Sequence, residues 1–147
     1  MANYDLFQKI AKALALGEGA NAREFLAQMA DADQREYVVY IAAAFTELAE
    51  TYFRDDHGLV AIKTFVDEMA YAYRSAEPPF RPMAMEVLIR AVFDDDQSLD
   101  EVTADEQLRF HTLALRMMTH KSAEIYAQLD QYLAEAKSLA LEWLSEV

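Results

Sequence analysis

Apolar residues recur at intervals of three and four along most of the chain, the period of a helix with one buried face. Leu6, Phe7, Ile10, Ala11 and Leu14 form the first such stripe and predict a helix over residues 4–16. Gly17 and Gly19 end it, because glycine accepts the left-handed backbone that often closes a helix. Asn21 followed by Glu24 has the spacing of a capping box. It predicts a short second helix to about residue 30, with Phe25, Leu26 and Met29 inward.

Asp33 with Glu36 repeats that spacing and opens a third predicted helix, over about 34–54. Tyr37, Ile41, Ala44, Leu48 and Tyr52 share one of its faces, and Val38, Ala42, Phe45, Ala49 and Phe53 the next. A helix apolar on adjoining faces is surrounded by others, so this one is expected at the centre. A fourth helix is predicted over 58–75, with Leu59, Ile62, Phe65, Val66, Met69 and Tyr73 inward. The Pro-rich segment 77–82 is extended, and Pro82 suits the first turn of a fifth helix that stops at Asp94.

Residues 104–145 contain neither Gly nor Pro. Leu108, His111, Leu115, Met118, Ser122 and Ile125, then Leu129, Tyr132, Ala136, Leu139 and Trp143, keep alternating spacings of three and four, as in a coiled-coil seam. One unbroken helix would run about 60 Å at 1.5 Å per residue. A break is expected near residues 119–122, where polar side chains cluster. The pattern thus predicts a single all-α domain over 1–147: a compact bundle of six or seven helices around the buried central one.

Composition agrees, with 26 alanines against three glycines and three prolines. The absence of cysteine excludes disulfides, thiolate metal sites and cysteine nucleophiles. Thirteen basic and 26 acidic residues give a formal charge of −13. That disfavours direct binding to nucleic acid or an anionic membrane. The N-terminus lacks the basic and apolar regions of a secretory signal, and no apolar run approaches the ~20 residues of a membrane span. A cytoplasmic protein is expected.

Seven acids and no base fall within residues 94–106. Ser98 with Glu101 and Thr103 with Glu106 are capping patterns, and acids there suit a helix N-terminus. Asp94, Asp95 and Asp96 are different, because they follow a helix C-terminus where negative charge is unfavourable. They are therefore read as contacts for a partner protein. An alternative reading takes Asp94, Asp96, Ser98, Asp100 and Asp105 as oxygen ligands spaced faintly like an EF-hand loop, binding a metal or small molecule. That loop lacks the glycine of its turn, where Leu99 stands.

Asp55-Asp56-His57-Gly58 reads as a turn, with Asp56 capping the fourth helix and His57 meeting carbonyls at the end of the third. His120 and Glu124 are four apart and would share a helix face. His111 lies on the apolar seam, where a hydrogen-bonded core histidine is expected. Pro79-Phe80-Arg81-Pro82 is a minimal Pro-x-x-Pro, better explained as a spacer with Phe80 in the core. Met83, Met85, Met117 and Met118 read as core filling. No nucleophile elbow, phosphate loop or dinucleotide fingerprint occurs, so no catalytic residue and no cofactor is assigned.

The C-terminal segment carries a second apolar line, Tyr126, Leu133, Ala140 and Leu144, beside the seam. Tyr132, Leu139 and Trp143 are predicted to contact another chain, because aromatic residues dominate interface energetics. The predicted function is non-catalytic protein–protein binding, as an adaptor, regulator, accessory chaperone or neutralising factor. The expected partner is basic, or a second copy docking through the C-terminal helix. A second alternative is an acidic mimic of nucleic acid.

Overall fold

The described residues of the computed structural model, 2–94 and 97–146, contain eight α-helices and no strand. They are α1 (Tyr4–Ala15), α2 (Gly19–Ala27), α3 (Gln34–Tyr52), α4 (Leu59–Ala72), α5 (Pro82–Phe93), α6 (Ala104–Lys121), α7 (Ala123–Ala127) and α8 (Leu129–Ser145). A single 3₁₀ turn, Asp31–Asp33, precedes α3. The count exceeds the expected six or seven because the C-terminal seam is cut twice. Ser122 is extended and its hydroxyl caps α7 by accepting from the Ile125 amide, and Gln128 separates α7 from α8. The first break falls in the stretch where polar residues predicted it.

Helix α3 is the central element. Tyr40, Ile41, Ala43, Ala44, Leu48 and Ala49 on it are fully buried. It packs against α8 and α6, with α1 and α5 completing its surroundings. The Tyr40 hydroxyl donates to the Leu133 carbonyl of α8 at 2.9 Å. Phe7 and Ile10 of α1 are buried beside it, with the Phe7 ring 5.6 Å from that of Tyr37. Helix α4 packs chiefly on α5 and reaches α3 through Phe65, whose ring lies 5.0 Å from Tyr52. Its outer side leaves Val60 and Tyr71 exposed, and Leu59, expected inward, is exposed too, because it is the first residue of the helix and lies before the turn that packs. Met85 and Met118 fill the core as expected, whereas Met83 is exposed. Phe80 packs 5.1 Å from Phe110, so the Pro-rich segment is a spacer pinned by its aromatic residue.

Three of the four predicted capping patterns form no capping box. Gly17, at φ +75°, turns the chain after α1, and the Glu18 amide bonds back to the Ala13 carbonyl. That closure starts α2 at Gly19, so Asn21 lies inside the helix and its amide reaches Glu18 at 3.5 Å instead. Asp33 is diverted as well: its carboxylate accepts from the Asn3 amide at 3.2 Å, tying the entry of α3 to the start of α1. Ser98 makes a local turn by accepting from the Asp100 amide and starts no helix.

The fourth is complete. The Thr103 hydroxyl accepts from the Glu106 amide at 3.1 Å, and Glu106 reaches back to the Thr103 amide. Arg81 also pairs with Glu106, which holds that carboxyl below its ordinary range, chiefly through their hydrogen bond. Thr103→Ala should lower stability by about 1 kcal/mol and Thr103→Ser by less, read as the urea midpoint at constant m.

Candidate functional site: a groove floored by His111

Helices α3, α5, α6 and α8 converge around a groove of about 400 Å³. Its α3 wall is Ala42, Phe45, Thr46 and Glu50. Leu88, Ala91 and Val92 of α5 face that wall, and Gln107 and His111 come from α6. Leu99, from the acidic 94–106 segment, and Leu139 and Trp143, from α8, complete the lining. Most of the surface is apolar, with a few polar groups converging on it, the composition common to ligand pockets.

His111 is the unusual member. It is 9% exposed, and its ring stacks on Phe45 with centroids 4.4 Å apart and planes 25° apart. Among the described residues no hydrogen bond reaches the imidazole. This corrects the expectation of a hydrogen-bonded core histidine: the ring is held by stacking on Phe45 and lines the groove. Burial pushes its pKa down to about 4, so at neutral pH the ring is uncharged and offers one donor and one acceptor.

Trp143 and Leu139 are half-buried against the same core that receives the fully buried Leu133 and Ala140. Tyr132 is likewise half-buried, and its hydroxyl donates to Glu124 at 3.2 Å, away from the groove. The exposed apolar residues of this region are Tyr126 and Leu141. Asp94 is the C-cap of α5, where its carboxylate accepts from the side-chain Nε2 of Gln97 at 3.0 Å. Asp95 and Asp96 lie outside the described residues. Asp100 and Glu101, exposed, flank a second depression that also takes in Met83 and Val87. Leu99 thus links the acidic segment to the groove. Among the described residues no three acidic or histidine side chains gather to hold a metal. Of the five residues in the metal reading, Ser98 is engaged with the Asp100 amide and Asp96 is not described.

The other histidines sit elsewhere. His57 stacks on Phe93 with ring centroids 4.5 Å apart, in place of the expected contact with carbonyls at the end of α3. The Asp56 carboxylate accepts from the Gly58 amide at 2.9 Å, making the turn, and no side chain caps α4. His120 and Glu124 do not share a helix face, since Ser122 breaks the helix between them. Glu124 instead receives both terminal nitrogens of Arg54 at 3.1 Å, which holds its carboxyl below the usual range. A broader depression of about 660 Å³ between α4 and α6 includes His120 and Tyr71. Within it Lys121 pairs with Glu68.

The groove itself was not legible in the sequence. Its residues run from Ala42 to Trp143, and the one of them that stood out in the sequence was His111, a polar interruption of the apolar seam. Among the described residues no helix is long and apolar enough to cross a membrane. Comparison with protein-family models, with curated proteins and with solved structures found no match.

Proposed function

We propose that the chain is a non-catalytic binding protein of the cytoplasm whose groove receives a segment of a basic partner protein. The observation that carries this reading is convergence. Leu99 of the acidic segment and Leu139 and Trp143 of the C-terminal helix, far apart in sequence, line the same groove. Apolar lining supplies contact area, and aromatic residues such as Trp143 are the usual anchors of an interface. Charge supplies selection. Glu50 lies on the groove, Asp100 and Glu101 follow Leu99 in the chain, and the chain carries a formal charge of −13. A basic partner is steered to such a surface and an acidic one is repelled.

The test is capture by the immobilised full chain at low and at high salt, followed by association kinetics with the recovered partner. One stoichiometric basic protein, released as salt rises, is expected. Reversing Asp94, Asp95 and Asp96 together to lysine should slow association roughly tenfold and flatten its salt dependence. Trp143→Ala should act on the dissociation rate instead. Unchanged kinetics in both variants would overturn the reading.

A further inference from the structure

We propose that the groove seats an arginine side chain of the basic partner, its stem on the apolar lining and its guanidinium on Glu50. This rests on the partner reading above and specifies what that partner must present. The selection begins with charge. Among the described residues that line the groove, Glu50 is the one charged side chain, since no lysine or arginine reaches it and His111 is uncharged at neutral pH. Glu47 stands one turn before Glu50 on α3, and Glu135 stands one turn before the lining residue Leu139 on α8. Glu135 and Glu50 both act on the Glu47 carboxyl and, after burial, push it up. Among the described residues no base forms an ion pair with any of the three. Like charges therefore face one another where α3 meets α8, and a cation brought by a partner relieves their repulsion.

The rest of the lining chooses among cations. It is largely apolar, with Leu88 and Leu139 beside the aromatic side chains of Phe45 and Trp143. A guanidinium is weakly hydrated and stacks on aromatic faces, whereas an ammonium is a compact charge that gives up its water reluctantly against such a wall. The planar fork of arginine also meets both oxygens of a carboxylate at once, so Glu50 receives two parallel hydrogen bonds. Its methylene stem covers apolar surface on the way to that carboxylate. An acidic side chain would instead meet Glu50 and the formal charge of −13. An uncharged one would leave the three carboxylates as they are.

The experiment follows the indole N–H cross-peak of Trp143 in ¹H–¹⁵N spectra of the full chain, a single signal because this is the one tryptophan. The probes are N-propylguanidinium, which is the arginine side chain, n-butylammonium, which is that of lysine, and N-propylurea, which has the shape of the first without its charge. All three are titrated at one fixed chloride concentration. N-Propylguanidinium should shift the cross-peak saturably and bind roughly fivefold more tightly than either of the others. Glu50 is exposed, so Glu50→Gln keeps the fold, as its amide spectrum checks. In that variant the guanidinium should lose most of its advantage over the urea. A cross-peak unmoved by N-propylguanidinium, equal binding of the three probes, or an advantage that survives in full in Glu50→Gln would each overturn the proposal. The captured partner should also leave Glu50→Gln roughly fivefold faster than the unmodified chain. An unchanged dissociation rate would overturn the arginine anchor while leaving the acidic binding surface standing. Failure to capture any basic protein would overturn the partner reading itself, while the probe titrations would still read the arginine site.

Discussion

Tyr40→Ala should destabilise the fold by about 3–5 kcal/mol, whereas Tyr40→Phe should cost only about 1 kcal/mol. The side chain is fully buried in α3 and does two separable things. Its ring fills the space between α1 and α3, with the rings of Phe7 and Tyr4 6.0 and 6.2 Å away. Its hydroxyl crosses to α8 and donates to Leu133. Truncation to alanine removes the ring and leaves a cavity that three packed helices cannot close without moving, which is why the transfer and cavity costs add. Removal of the hydroxyl alone is milder. The Leu133 carbonyl lies inside α8 and keeps its intrahelical acceptor role, so it is not stranded. For a chain of this length, 3–5 kcal/mol lowers the thermal midpoint by roughly 10 °C. Equal losses in the two variants would mean that the α3–α8 hydrogen bond, not the packing, holds the seam together.

This division also explains how much of the molecule its sequence reveals. Helices are local, and their apolar spacing is written in consecutive turns. The stripes at Leu6 to Leu14 and Tyr37 to Tyr52 therefore became α1 and α3 with ends close to those expected. Caps are local only in part. Thr103 and Glu106 close on each other because the chain arrives extended at Thr103. Asn21 and Asp33 carry the same residue spacing, yet Gly17 redirects one chain entry and the Asn3 amide claims the other carboxylate. Those partners lie outside the four-residue window. The groove is wholly non-local. Phe45, Leu99, His111 and Trp143 become neighbours only once four helices have packed, and no spacing rule links them. What the sequence did mark was the misfit, a histidine in a line of apolar residues.

That histidine should make the protein acid-sensitive above the range where carboxylates titrate. In the unfolded chain the imidazole takes up its proton near 6.5, whereas in the folded protein burial delays this until about 4. Between those values the unfolded state binds more protons, so each step toward acid favours unfolding. Stability contributed by the neutral ring is fully present above 6.5 and is lost as pH falls to about 4. The accumulated loss is roughly 3 kcal/mol at 1.36 kcal/mol per pKa unit. Glu47 works in the opposite sense. Burial first, then Glu135 and Glu50, raises its carboxyl, so it contributes stability in acid that is lost as pH rises through its folded value. Glu106 and Glu124, both lowered, lose their contributions only as pH falls through values below the ordinary carboxylate range. The window from 6.5 toward 4.5 therefore belongs mainly to His111. Urea unfolding of the native chain and of His111→Phe across that window separates the terms, because the phenyl ring shifts the whole curve by a constant and removes only the histidine slope. The native chain should lose stability toward acid more steeply than the variant, and the gap should stop widening near pH 4. Parallel curves would mean that water reaches the imidazole well enough for it to take up its proton in the folded protein as readily as in the unfolded chain.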